Sequence, residues 1–294
     1  MSLASAITPK AGRPLPAARL AFSIIGLAIG LLMILPLIWL ILRAFEADLA
    51  TVQRLLLRPR TQMLLVNTAS LVAAVLALST VIALPLAWLV SRTDLKARRL
   101  VNLLAVMPLA VPGYVMAYAL LGLSGTSGFM NQIFGIMFPR QHGLWGATLA
   151  LSLYCFPYIY LNLRAAFSGM DASLEEAARA LGAGKWEVFR RVTLPFLLPA
   201  LLASWLVVGL YTVGDFGAVA LMRFEVFSFA IYQQYSAAFD RIYAAWLALI
   251  LIAIALTVVW WESRLREGVR YARTGSGIHS FPTRRSSDYR KSVV

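Results

Sequence analysis

Apolar residues run along this chain in long blocks rather than in alternation with polar ones. Six blocks are long enough to cross a bilayer as helices: about 21–42, 64–90, 100–121, 144–167, 196–219 and 242–261. A helix needs roughly 20 apolar residues to span the hydrocarbon core, and blocks of this length without alternation exclude a barrel. The pattern predicts an all-α membrane protein with six transmembrane helices. Between the fourth and fifth blocks its character changes. Residues Ser168–Pro195 read SGMDASLEEAARALGAGKWEVFRRVTLP, a polar interval with helix formers at both ends and a glycine break between them.

That interval predicts two short helices. Ser173 followed three residues later by Glu176 is a capping-box spacing, in which each side chain satisfies the other residue's backbone N–H. Helix then runs through Glu175 to Leu181, Gly182 and Gly184 end it, and Lys185–Thr193 forms a second helix before Pro195 opens the next apolar block. On physics alone the same residues also describe an ordinary solvated hairpin between spans.

Composition places the chain in a bilayer. It is 60% hydrophobic and only 14% charged, with a mean hydropathy of +0.75, outside the range of soluble domains. A polar arm with Lys10, Arg13 and Arg19 precedes the first block, which lacks a small-residue cleavage site and reads as a retained helix. The net charge of +14 takes its meaning from location. With the N-terminus in the cytoplasm, sixteen of the Lys and Arg up to residue 273 fall inside, against seven outside: Arg43, Arg54, Arg58, Arg60, Arg140, Arg223 and Arg241. The positive-inside rule then puts both termini and the polar interval in the cytoplasm, and nucleic acid is not needed to explain the basicity. The basic stretch Arg43–Arg60 is the exception, and reads as lying along the membrane interface.

In the polar interval, Glu176, Ala177, Ala178, three residues, Gly182, nine residues, then Val192, Leu194 and Pro195 resemble the EAA motif (E-A-A-x3-G-x9-I-x-L-P) of binding-protein-dependent ABC importer permeases. The one departure is Val192 in place of isoleucine, which keeps a β-branched apolar side chain. The resemblance implies the type I ABC importer transmembrane-domain fold. It also makes residues 168–195 a cytoplasmic coupling loop that docks on a separate ATPase, with Glu176 holding the loop together and Gly182 permitting its turn. Further stretches, NTASLVAAVLALSTVIALPLAWLVSRTDLKARRL, MPLAVPGYVMAYALLGL and DFGAVALMRFEVFSFAIYQQY, look like the first half of iron(III)-type permeases. Thiamine, phosphonate and polyamine permeases share much of that pattern.

The family resemblance implies a bacterial inner-membrane permease for ferric iron. Its partners would be an ABC ATPase dimer that uses the ATP, a periplasmic solute-binding protein and a second permease half, fused or separate. Iron(III)-type chains usually carry two six-helix halves, so this single half reads either as a truncated frame or as a natural half that dimerises. The organisation expected is an arm over 1–18, a six-helix permease domain over 19–268 and a tail over 269–294. The tail is Ser/Arg-rich, and its HSFPTRRSSD resembles translated sequencing-adapter read-through, so it reads as disordered or artefactual.

Candidate chemistry is sparse. Gly182-Ala183-Gly184-Lys185 lacks the first glycine and the closing hydroxyl of a phosphate loop, since Arg179 and Trp186 stand there. No enzyme, no cofactor in this chain and no metal site are expected. Asp215 is the one candidate for the substrate side: twenty residues past Pro195, it falls near the outer boundary, where it either attracts a cation or ends a helix in water. Tyr154, Tyr158, Tyr160 and Tyr211 offer further oxygens but read first as packing or interfacial residues. Cys155 reads as core packing, and His142 and His279 form no site. Pro36, Pro85, Pro108, Pro112 and Pro157 lie within the blocks, where each either kinks a span or is tolerated. Gly26 and Gly30 have the spacing for close helix approach. An ion-coupled secondary transporter is the competing class; it would place an ion site among broken helices near the midplane and need no ATPase.

Overall fold

The computed structural model describes residues 16–47, 52–54, 57–237 and 240–273. The expected tail from residue 274 on, and the first fifteen residues of the arm, lie outside them. Among the described residues the regular elements are helical. They run α1 (Pro16–Ala44), α2 (Pro59–Arg92), α3 (Arg98–Val106) with a 3-10 turn (Met107–Ala110), α4 (Gly113–Leu123), α5 (Phe129–Phe134) and α6 (Gly143–Ser168). After these come α7 (Ala172–Ala180), α8 (Lys185–Val188) with a π turn (Phe189–Thr193), α9 (Leu194–Gly214), α10 (Gly217–Leu221), α11 (Phe227–Ser236) and α12 (Arg241–Arg273).

Five of the expected spans are single helices long and apolar enough to cross a membrane: Phe22–Ala44, Pro59–Arg92, Gly143–Ser168, Lys185–Gly214 and Arg241–Leu265. The span expected over 100–121 is not one straight helix. It is a pair, Arg98–Ala110 and Gly113–Leu123, bent by 102°. The cause is local. Val111 precedes Pro112 and takes an extended conformation (φ −105°, ψ 122°), as the proline ring disfavours the helical region for its predecessor and supplies no N–H to continue the ladder. Pro36, Pro85 and Pro157 by contrast sit inside unbroken helices.

The chain divides into two compact units, described separately. The first gathers residues 1–68 and 225–252. Here Arg60 contacts Gln233 Oε1 at 3.1 Å and Glu225 Oε2 at 3.5 Å, while the Arg58 guanidinium lies 5.4 Å from the centre of the Tyr243 ring. Two arginines of the basic stretch expected along the interface therefore have partners of their own. Trp246 Nε1 donates to the Ala44 carbonyl at 3.0 Å, which holds the end of α1. The rest of α1 exposes its apolar side chains, and a Cβ at Gly26 or Gly30 would meet nothing within 4 Å.

The second unit comprises the described residues of 69–224 and 253–273. Its centre is α6, packed against α9 and α4, with Ala147, Leu151, Cys155, Ile159, Tyr160 and Leu163 fully buried. Small residues let backbones approach closely, as membrane helices require. A Cβ at Gly146 would lie 2.8 Å from Met222 Sδ and from the Gln141 backbone. Polar ties complete the packing: Trp205 Nε1 donates to Thr80 Oγ1 at 2.9 Å, and the buried Tyr160 hydroxyl donates to Asn102 Oδ1. Cys155 is buried and free, filling space as expected.

Candidate functional site

The polar interval folds into two helical pieces around a glycine turn, with a different cap from the one its spacing suggests. Asp171, not Ser173, is the N-cap of α7: its Oδ1 accepts the Ser173 N–H at 3.0 Å. The capping box is absent, because Ser173 already lies inside the first turn. The bond from the Ser173 amide holds the Asp171 carboxyl below its ordinary pKa, as donors to a carboxylate favour the charged form.

At the other end of α7, Gly182 takes φ +87°, the left-handed region where only glycine is at ease. Gly182 N–H donates to the Arg179 carbonyl at 2.9 Å and Ala183 N–H to that of Ala178 at 3.1 Å. These paired bonds form a Schellman motif. Gly184, expected to share in the break, has ordinary extended geometry (φ −67°, ψ 160°), so only Gly182 needs to be glycine.

The second piece is not a separate helix ended by Pro195. Lys185–Gly214 is continuous, through a π turn immediately before the proline. A proline ring clashes with the carbonyl four residues back and donates no bond to it. The widened turn meets this: Leu194 N–H reaches back five residues to the Phe189 carbonyl. Val192 belongs to that turn, and Leu194 and Pro195 open α9.

The contact that ties the interval down involves a carboxylate the motif does not include. Thr193 Oγ1 in the π turn donates to Glu175 Oε1 at 2.8 Å. The same oxygen lies 4.0 Å from Nη2 of Arg92, the last residue of α2. Glu176, one residue on, is exposed. The role of holding the loop, expected of Glu176, therefore falls to Glu175. On a helix, neighbouring residues point about 100° apart, and spacing alone does not say which glutamate faces inward. Asp171, Arg92 and Thr193 were likewise missed; the Asp-x-Ser spacing before the apolar positions of α7 was the available signal for the cap.

What the interval leaves open is its outer surface. Ala177 is exposed, Ala178 half-buried, and Leu181 and Trp186 are 89% and 73% exposed. Trp186 stacks on Phe189 at 5.6 Å. Arg179 and Lys185 join Trp186, Pro85 and Trp88 around an open groove of ≈ 500 Å³. Large apolar side chains thus stand exposed beside cations in the polar interval.

Asp215 lies at the far end of α9. Its Oδ1 accepts the N–H groups of Ala218 at 2.9 Å and Val219 at 3.4 Å, so it caps α10. Beside it, a Cβ at Gly113 would lie 2.7 Å from the Tyr211 hydroxyl and 3.7 Å from Asp215 Oδ2. Tyr211 packs 4.8 Å from Tyr154, whose hydroxyl is 3.5 Å from that of Tyr158. Three of the four sequence-selected tyrosines thus converge, while Tyr160 is tied to Asn102. Among the described residues no group of three or more His, Cys, Asp or Glu is placed to hold a metal ion.

The family model described as "Binding-protein-dependent transport system inner membrane component" matches residues 79–271. The Fe(3+)-transport system permease protein FbpB 2 of Haemophilus influenzae is 30% identical over 250 residues, which is 85% of this chain and 47% of that protein. The molybdenum transport system permease protein ModB of Escherichia coli is 37% identical over 137 residues, 45% of this chain and 58% of its own. The chain spans about half the length of these curated relatives. Among solved structures, a bacterial ABC transporter involved in the import of the acidic polysaccharide alginate superposes with a TM-score of 0.66 at 19% identity, covering 88% of this chain and 96% of the other. The MetNI methionine ABC transporter, in an inward-facing form, gives 0.54 at 20% identity over 72% and 98%. These likenesses bear out the fold expected, the transmembrane domain of a type I ABC importer. With the interval 168–195 wholly inside the matched region, the chain belongs to the family of binding-protein-dependent transport system inner membrane components, the permeases of ABC importers.

Proposed function

We propose that this chain is one permease half of an importer in the bacterial inner membrane, with both termini cytoplasmic, and that residues 168–195 are the segment through which a separate ATPase dimer drives it. The observation that carries this reading is the construction of the interval. Its backbone is locked by the Asp171 cap and the Gly182 turn, while Leu181 and Trp186 are left bare. A segment rigid in itself and apolar on its outer side transmits force to α9 only if something grips it. Glu176, Ala177, Ala178 and the residues around Gly182 are the proposed contact, with Val192, Leu194 and Pro195 forming the passage into α9.

The proposed cargo is ferric iron handed over by a periplasmic binding protein, supported by the 30% identity shared with the iron permease over 85% of this chain, against 27% over 84% for a sulfate permease of Salmonella typhimurium. Relatives named for molybdenum and for sulfate transport keep the oxyanions as a second reading. The three converging phenols and Asp215 lie at the end of α9 away from the coupling segment, where a cargo route would open.

The experiment is affinity purification of the tagged chain from its native membrane, followed by identification of what comes with it. Recovery of an ABC ATPase with wild type and its loss with Gly182→Val is the expected result. A Cβ at position 182 meets nothing within 4 Å, so this variant acts through backbone strain of about 1–2 kcal/mol rather than through a clash. Recovery of the chain without an ATPase, together with ATP-independent uptake in proteoliposomes, would favour the secondary transporter instead. Binding of labelled iron, molybdate and sulfate by the co-recovered binding protein discriminates the cargo.

A further inference from the structure

We infer that Glu175 is a two-position coupling residue, exchanging its carboxylate between Thr193 and Arg92 as the coupling segment moves against α2. The inference deepens the reading above and rests on it.

The geometry is that of one acceptor with two claimants. Glu175 Oε1 is hydrogen-bonded to Thr193 at 2.8 Å and stands 4.0 Å from Arg92 Nη2, too far for a hydrogen bond. The two charged side chains are 14% and 17% exposed, so water screens their attraction poorly. Nε and Nη2 of Arg92 are buried and have no hydrogen-bond partner among the described residues. The guanidinium otherwise faces the Phe167 ring, 5.8 Å away, which satisfies none of its N–H groups. A buried cation with unmatched donors next to a carboxylate is an arrangement that a shift of about 1 Å relieves.

The four residues belong to four pieces of one compact unit. Arg92 ends α2, Phe167 lies near the end of α6, Glu175 is on α7 and Thr193 is in the π turn. Moving α7 toward α2 shortens the ion pair and lengthens the bond to Thr193. The released threonine can turn its hydroxyl to the carbonyl four residues back, as helical threonines do. Neighbouring carboxylates do not compete: Glu187 pairs with Arg191 at 2.9 Å, and Glu176 is exposed. Two alternative partners for one group make a discrete two-state element, the kind of device that couples a docking surface to a membrane helix. Arg92 and Thr193 are positioning residues in this scheme, each stabilising one of the two states.

Opposite variants should therefore have opposite effects. Arg92→Gln and Glu175→Gln remove the ion-paired state, the latter while keeping an acceptor for Thr193; Thr193→Val removes the present one. The test is ATP hydrolysis by the chain in lipid nanodiscs with the ATPase that co-purifies with it, without added cargo. Hydrolysis should fall about 5-fold or more in Arg92→Gln and Glu175→Gln, the lower end of usual coupling strengths, and rise in Thr193→Val. The double variant Arg92→Gln/Glu175→Gln should be no slower than either single one, and the swapped pair Arg92→Glu/Glu175→Arg should recover much of the rate. A merely structural role lowers activity in every variant and leaves the swap unrescued. Same-sign changes, multiplied effects in the double variant, or unchanged rates overturn the exchange. If a replacement at Arg92 fails to fold, Glu175→Gln against Thr193→Val decides by sign alone. Failure of the wild-type chain to retain any ATPase would bring down the docking reading itself, and the exchange with it.

Discussion

Helices α1 and α6 are similar in length, 29 and 26 residues, and both are membrane spans by composition. Their surroundings are opposite. None of the most apolar stretch of α1 is buried within the protein, against 61% of that of α6. The more apolar helix is the exposed one. In water this would be a folding error; in a bilayer it is the expected order, because lipid tails solvate leucine as well as a protein core does and association depends on packing and polar contacts. Helix α6 accordingly carries Gly146, Ala147 and Ala150 for close approach, and Ser152, Tyr154, Tyr158 and Tyr160 for hydrogen bonding.

The contrast breaks most sharply at Tyr160. Removing this fully buried ring and its tie to Asn102 by Tyr160→Ala should cost about 3–5 kcal/mol. The comparable truncation Leu32→Ala in α1, where the side chain is 70% exposed, should stay within about 0.5 kcal/mol. Thermal unfolding of the detergent-solubilised chain, followed by size-exclusion chromatography, distinguishes them; equal losses would mean that α1 is packed after all. A charge makes position 32 costly too. Leu32→Arg should oppose membrane insertion by about 2.5–3.5 kcal/mol in a glycosylation-based insertion assay, the usual cost of arginine near the centre of a spanning helix. An unchanged insertion efficiency would place Leu32 against protein or water.

Two smaller effects sharpen the picture inside the second unit. Trp205→Phe deletes the donor to Thr80 and should cost about 0.6 kcal/mol, the average for hydrogen bonds between membrane helices. Ser152→Ala removes only a 3.5 Å contact to the Val75 carbonyl and should cost less than about 0.5 kcal/mol, near the limit of a denaturation measurement. A larger loss at Ser152 than at Trp205 would show that burial, not bond geometry, governs polar contacts here.

These two helices also show what the amino-acid pattern could and could not convey. Both spans were legible, because hydropathy records length and apolarity. Which one the protein buries was not, because lipid and core reward the same residues. The break in the third span was half legible: Pro112 was one of five prolines able either to kink a span or to be tolerated in it, and nothing in the hydropathy of the block singles it out or gives an angle. In the interval 168–195, Gly182 was legible because a turn of positive φ demands glycine. Asp171 and Ser173 both make good caps, and Glu175 and Glu176 differ only in direction. Which member of each pair does the work is decided by where α7 lies against α2 and the π turn, which is tertiary information.

The π turn before Pro195 has a mechanical meaning. It leaves Lys185–Gly214 a single shaft of 30 residues, about 45 Å long at 1.5 Å per residue, with a widened turn near its Lys185 end. A tilt of about 10° at that turn would sweep the Gly214 end through roughly 5.5 Å, taking about 32 Å for the arm beyond it. That end carries Tyr211 and Asp215, pressed against Gly113 at the 102° bend. A lever of these proportions turns a small displacement at one membrane face into the opening or closing of a contact at the other.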